Sequence, residues 1–573
     1  MSAGKHIKRR TLVKGVAAGS LVPLLGSNLL GCSDNNNDGR KGVPAKFNHG
    51  VASGDPLTDR VILWTRVTPE NEGFVVVDWE VATDEAFADI VVRGSGETDE
   101  TVDYTVKVDV EGLDAGTRYF YRFKVRDIVS PTGATRTAPV GAAATAAFAV
   151  ISCSNYPAGY FHVYREIANQ DVDAVLHLGD YLYEYAPDQY ASENAEALGR
   201  VVEPPKELLE LDDYRQRYAQ YHTDPDLQAA HAACPFIVVW DDHEVANDSW
   251  RQGAENHDPS TEGDFSDRRA AAIQAWYEWL PVRPPVSERE IIYRTLPYGE
   301  LVDVIMLDTR LIGRDEQYIY SDFATDGIID VEAVRAAIND SQRTLVGADQ
   351  LDWLKQQLID STARWQVLGQ QVLMGRYILP APIMEALDPS LAVGDSLADG
   401  AAAVLASLAA ANTPTEERTE EQQALLDSAI PYNLDAWDGY GFDRDDVLSL
   451  ASQLGSRLVV VAGDTHNAWA SQLTTTEGDV AGVEFATASV SSPGLENLLG
   501  TDVAEFFAAA VVDIVEDLRY VNFISRGYMT IRFSDSEVVS SWRYVTDVTQ
   551  PEYSLKAEEA RDLSVSWDDL LLG

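Results

Sequence analysis

Four short segments of this chain carry side chains that bind cations: Cys153-Ser154-Asn155, Asp180 with Tyr183, Asp241-Asp242-His243-Glu244 followed by Asn247 and Asp248, and Asp464 with His466. Thiol, carboxylate, amide and imidazole groups are the common protein ligands of metal ions. Gathering so many carboxylates without a cation is costly in repulsion and desolvation, whereas one or two bound ions turn the same cluster into a stabilised site. The economical reading is a multinuclear metal centre. No single segment decides it, because an Asp behind a strand also caps a helix. All four together, in order, are specific.

What places them is the pattern upstream of each. From Phe148 the chain alternates apolar runs (FAVIS, DAVLHLG, FIVVW, LVDVIML, WQVLG, RLVVVAG) with stretches of helical periodicity, which predicts a layered α/β domain. In such sheets ligands sit beyond the carboxyl ends of the strands, and the four segments follow FAVIS, DAVLHLG, FIVVW and RLVVVAG directly. Residues 44–140 read differently. Short β-rich runs such as VILWTRV, FVVVDWEVA and YFYRFKV, separated by turn residues, predict an antiparallel sandwich of the fibronectin III or immunoglobulin type, with a structural role. PVGAAATAA reads as a linker into a catalytic domain at 146–545, with an Ala/Leu/Glu-rich helical insertion at about 379–426 and a tail at 546–573.

The chain has 573 residues and a formal charge of −48, from 44 Lys and Arg against 92 Asp and Glu. Such a field repels nucleic acid and anionic membranes, so sequence-specific nucleic-acid binding is excluded as a function class. The acidic residues read chiefly as a solvated surface, with some adaptation to a saline medium. At the N-terminus, KRRTLVK precedes an apolar stretch that Pro23 interrupts and that is too short and Gly-rich to span a membrane; it reads as an export signal over 1–31. The Arg9-Arg10 pair resembles a twin-arginine signal, a route for folded, often metal-loaded proteins. LLGC resembles a lipoprotein signal, with Cys32 as the lipidated residue and 32–43 as a polar tether, giving a periplasmic or cell-surface protein that touches the membrane through Cys32 alone. Three cysteines make no disulfide framework; Cys153 and Cys234 are left to pair or to stay free in the core.

GD-x-x-Y at Gly179–Tyr183, the DDHE block, GD-x-H at Gly463–His466, and the upstream HGVASGDP and VILWTR together resemble the calcineurin-like metallophosphoesterases, and among them the PhoD-type alkaline phosphatases, over most of the chain. The resemblance implies a four-layer metallophosphoesterase fold and an enzyme that hydrolyses phosphate esters. It also implies a ligand set. Cys153 stands where many relatives carry the first metal-binding Asp, so Cys153 and Tyr183 would bind Fe(III), Asp180 would bridge, and Asp464 or His466 would complete the site. Oxygen donors from Asp242 and Asn247 suit Ca(II). Two departures stand out: GDTHNAW offers one His where the wider superfamily has GHxH, which leaves open which of Asp464 and His466 serves which ion, and DDHE replaces GNHE.

The implied chemistry is attack on phosphorus by water that Fe(III) makes nucleophilic, with calcium neutralising phosphoryl charge. His243 would protonate the leaving alcohol or hydrogen-bond the phosphoryl group. Arg269 would touch phosphate, or else form an ordinary ion pair. His177, Tyr181 and Tyr185 read as packing residues, as do Trp437 and Tyr440 despite their place in a segment near the cleft. Substrates are small phosphate esters, with a monomeric chain expected. The alternatives are a nucleotide or phospholipid phosphodiesterase on the same scaffold and, from another class, a non-catalytic calcium-binding surface protein, which would have no use for the Cys153 thiol.

Overall fold

A computed structural model of the chain describes residues 42–285, 290–388, 391 and 396–572. The export signal and Cys32 lie outside these residues. The apolar runs become the inner strands of two sheets. Nine strands form the first, in the order Arg561–Ser566, Glu537–Tyr544, Gly527–Ser534, Thr145–Ile151, Ala174–His177, Phe236–Val238, Val51–Gly54, Arg60–Arg66 and Thr105–Glu111. Seven form the second: Arg294–Tyr298, Val302–Met306, Trp365–Gly369, Leu458–Ala462, Val480–Ala486, Ala468–Thr474 and Leu518–Asn522.

The sheets pack face to face, with aromatic pairs crossing between them: Phe148 on Tyr298, Phe533 on Trp365 and Trp542 on Phe485. Alternation along each strand sorts the side chains. Val304 and Met306 enter the core between the sheets, while Ile305 and Leu307 enter a second core with Leu354, Val447 and Val511 from the helices Gly347–Asp360, Gly441–Leu454 and Thr501–Ile514. Strands buried on both faces need continuous apolar runs, and the runs read from the sequence are of that kind. Helices His162–Ile167, Leu211–Tyr221 and Pro225–Ala233 supply Tyr164, Tyr218 and Leu227 to the first sheet's core. The result is the four-layer α/β arrangement.

The β-rich N-terminal part is a sandwich that shares a sheet with its neighbour. Val75–Ala82, Ile90–Thr98, Arg118–Val125 and Gly133–Arg136 make one layer. The other layer, Val51–Gly54 with Arg60–Arg66 and Thr105–Glu111, continues the nine-stranded sheet through the parallel contact of Gly54 with Phe236. No side chain fits there: a Cβ on Gly54 would lie 2.6 Å from the Phe236 carbonyl oxygen and 2.2 Å from that of Pro281. Arg60–Arg66 therefore has two buried faces. Val61 and Leu63 face the sandwich core with Val77, Tyr121 and Phe123, whereas Trp64 faces the larger core. Trp64 is fully buried, donates to the Glu278 carbonyl at 2.8 Å and leans on Trp279. Trp64→Ala should cost about 3–5 kcal/mol in denaturant-induced unfolding. A loss below about 1 kcal/mol would mean that the sandwich contributes little to the catalytic layer's stability.

Two further segments complete the catalytic layers, the first helical as the sequence reading expects and the second not. The helical insertion is rooted on a small antiparallel pair, Ile378–Pro380 with Ala429–Pro431, and holds the helices Ala381–Leu387, Ser396–Ala411 and Glu420–Asp427. The segment 546–573, read as a tail, contributes the edge strand Arg561–Ser566, whose Val565 is fully buried. Alternating short residues there gave a weak strand signal. Cys153 and Cys234 are both free and buried.

Candidate metal centre

The parallel strands of both sheets deliver their carboxyl ends to one edge, where the bridge Ser152–Ser489 links the sheets. Cys153 follows Thr145–Ile151, Asp180 follows Ala174–His177, Asp241 to Glu244 follow Phe236–Val238, and Asp464 follows Leu458–Ala462. Turning sharply off a strand strains the backbone: Cys153, Asp180, Asp248, Asp464 and His466 all have φ between 52° and 63°. Left-handed conformations cost non-glycine residues about 1–3 kcal/mol each and persist where the surroundings enforce them. Gly179 has φ 106°, and a Cβ on it would lie 2.4 Å from that of Asp241.

Three ligand sets result, each with its donor atoms within 4.8 Å of one another: Cys153, Asp180 and His466; Asp180, Asp242 and His243; and Asp241, Asp242 and Asp464. Asp180 and Asp242 are shared, so the sets form a chain. The Tyr183 hydroxyl joins the first, donating to Asp180 at 3.0 Å and lying 3.1 Å from His466 Nε2. Ser492 donates to the same phenol oxygen at 2.7 Å. His466 Nδ1 lies 2.7 Å from the Pro493 carbonyl, which fixes the proton on Nδ1 and turns the Nε2 lone pair toward Asp180 and Tyr183.

The electrostatics are those of a site built for cations. Burial, reinforced by Asp180, pushes the Cys153 thiol well up. Burial, then Asp241, Asp242 and Glu244, against the pull of His243, raises Asp180 well above the usual carboxylate range. Asp464 is pushed up to about 7 by burial against the pull of Arg310. Asp242 goes the other way, to about 2: burial opposes its charge, but Arg310 and His243 outweigh it. Burial holds His466 near 3, so it is neutral and able to ligate. Asp180 Oδ1 and Asp241 Oδ2 are buried and accept no hydrogen bond, which for a carboxylate is a large penalty that a cation removes. The residues present therefore fit a metal group.

Sequence models of two domains match this chain: the PhoD-like phosphatase over residues 148–542, and the PhoD-like phosphatase N-terminal domain over 32–139. The chain belongs to the PhoD-like phosphatase family. Alkaline phosphatase D of Bacillus subtilis (strain 168) is 34% identical over 525 residues, covering 88% of this chain and 78% of the relative. A solved structure of PhoD superposes with a TM-score of 0.73 at 30% identity, over 92% of each chain. The chain is thus a PhoD-like phosphoric ester hydrolase with the metallophosphoesterase fold.

Among the residues singled out from sequence, the PhoD-like centre brings together Cys153, Asp180, Tyr183, Asp242, His243, Asp464 and His466. Asn247 and Arg269 are described by other contacts. The Asn247 backbone N–H donates to Glu184, the partner of His243, at 2.8 Å, and its side-chain amide donates to Glu255 at 2.7 Å. Arg269 donates to the carbonyls of Arg251 and Leu311 and to Glu290. The packing assignments agree with the contacts: His177 meets the Tyr164 hydroxyl at 2.9 Å, Tyr181 meets His222 and His231, and Trp437 donates to Gln370.

Three participants escaped the sequence reading. Glu184, fully buried, holds His243 Nδ1 at 2.8 Å. Arg310 and Asp435 enter from the second sheet's side, with Arg310 against Asp241, Asp242 and Asp464. Glu244, quoted as part of DDHE, ties two loops together: its carboxylate accepts the backbone N–H groups of Asp180, Tyr181 and Asp241 at 3.0, 2.6 and 2.7 Å. Glu244→Ala strands three buried donors. Metal affinity should fall about 10–100-fold, as measured by competition with a chelating dye, together with a lower melting temperature. Unchanged affinity would show that the loops hold their shape without it.

Proposed function

We propose that this chain is an exported, metal-dependent alkaline phosphatase or phosphodiesterase that releases phosphate from small esters, acting as a monomer. The observation that carries the reading is the thiol of Cys153 among Asp180, Tyr183 and His466, joined through shared carboxylates to Asp242 and Asp464. Thiolate and phenolate donors favour Fe(III) at the Cys153 end, and oxygen donors favour Ca(II) at the Asp242 and Asp464 end, with Asn247 nearby at the rim. Bound there, the cations would supply Lewis acidity and positive charge for an anionic substrate.

The chain's own residues supply the rest. His243, anchored through Nδ1 on Glu184, has Nε2 available to hydrogen-bond a phosphoryl oxygen or protonate the leaving alcohol. Tyr183, Tyr185 and Tyr190 pack around His243, with ring centroids 4.2, 5.4 and 6.5 Å from its own. Arg9-Arg10 and the LLGC segment support twin-arginine export and lipidation at Cys32. None of the described helices is long and apolar enough to cross a membrane.

The test is hydrolysis of a chromogenic phosphate monoester and its matching diester, before and after chelation. Turnover that chelation abolishes and metal restores is expected, and the ratio of the two esters assigns the preferred class. Chelation without effect would overturn the metal-dependent reading. Mass analysis of the exported protein tests the anchor: an intact peptide N-terminal to Cys32 on soluble protein would rule it out.

A further inference from the structure

Each nitrogen of the Arg310 guanidinium reaches a carboxylate. Nε donates to Asp241 at 2.5 Å, one terminal nitrogen to Asp435 at 2.8 Å, and the other to Asp464 at 2.7 Å with Asp242 at 3.6 Å. The side chain is only 1% exposed. Its loop follows the strand Val302–Met306 and is itself fixed. The Asp308 carboxylate accepts the N–H groups of Arg310 and Leu311, and Gln350 accepts that of Asp308. Three of the four carboxylates around Arg310 are one complete ligand set of the centre.

A guanidinium so enclosed is poorly placed to bind substrate, but well placed to do a cation's work. Four acidic groups packed this closely at low exposure would otherwise repel one another and resist burial. We infer that Arg310 is an internal counter-cation. It holds Asp241, Asp242, Asp435 and Asp464 together in the metal-free chain, so that the fold is complete before the centre is loaded, and bound cations then take over part of that compensation. The inference rests on the metal-dependent reading of the site. Its prediction is a stability defect that depends on whether metal is present, which a residue that merely fills space does not produce.

The experiment is thermal unfolding of the full chain in chelator and after loading with iron and calcium. Arg310→Met should lower the melting temperature by about 5–10 °C in chelator and by less than half of that in the loaded protein. Arg310→Lys, which keeps the charge but loses the planar fork, should fall between. Asp435 keeps Arg314 as a second partner, so Asp241, whose cationic partner is Arg310, is the carboxylate to neutralise. Adding Asp241→Asn to Arg310→Met should recover part of the loss seen in chelator, since one fewer carboxylate is left uncompensated. An equal deficit with and without metal, no deficit in chelator, or no recovery from Asp241→Asn in chelator would each overturn the inference. Should Arg310→Met fold in neither buffer, Arg310→Lys decides: a deficit confined to chelator supports the role, and an equal one refutes it. Metal that fails to stabilise even the unaltered chain would count against the metal-dependent reading itself, a result separate from the Arg310 comparison in chelator.

Discussion

Asp180→Asn should reduce kcat/KM for phosphate-ester hydrolysis by about 10³-fold or more. Asp180 is the carboxylate common to the Cys153 and His243 ligand sets, and its Oδ2 also accepts the Tyr183 hydroxyl. The amide keeps the shape and removes the charge, so both sets lose an anionic donor in one change. The loss should appear in kcat as much as in KM, because charge that stabilises the reacting phosphoryl group is missing rather than a remote binding contact. Metal analysis should show depletion at both ends of the centre. A kcat/KM within tenfold of the unaltered enzyme would mean that Asp180 is only a buried acid of the strand end.

Cys153→Ala should remove iron and turnover together. The thiol is fully buried and free, with its neutral form favoured in the metal-free chain by burial and by Asp180, so it has the character of a ligand that surrenders its proton to a cation. Removing it leaves Tyr183, Asp180 and His466 without their soft donor. Turnover is expected to fall about 10²–10³-fold, with the iron content falling in step. Retained iron with full turnover would reduce Cys153 to a core thiol. The distinction matters for the competing view of a calcium-binding surface protein, which gives a buried thiol no work.

Much of this centre was legible in the sequence because one rule, polar residues directly behind apolar runs, found Cys153, Asp180, Asp242 and Asp464 together. The same rule applied to LVDVIML would have reached Asp308 and Arg310, since DTR follows that run as DTH follows RLVVVAG. Asp435 was beyond it. That residue arrives from the loop after the insertion, and its pairing with Arg310 and Arg314 is a contact between segments more than a hundred residues apart. Glu184 lay one residue past Tyr183, but only the fold shows that its carboxylate turns to His243. For Arg269 the sequence left phosphate contact and an ordinary ion pair open, and the structure pairs it with Glu290 and backbone carbonyls.

The fold was legible for similar reasons. Continuous apolar runs announced strands with both faces covered, and VILWT in Arg60–Arg66 was one of them. Read as part of a sandwich with one buried face, it hid its second contact, because nothing in a local pattern says which sheet covers the Trp64 side. The edge strand Arg561–Ser566 was missed because only Leu563 and Val565 of its six residues are buried.

The most direct test of the central claim is metal analysis of the purified protein, with its visible spectrum and ester hydrolysis measured on the same sample. Iron near one per chain, a charge-transfer band from thiolate or phenolate, and turnover lost on chelation are the expected result. Calcium alone, no colour and no turnover would contradict it.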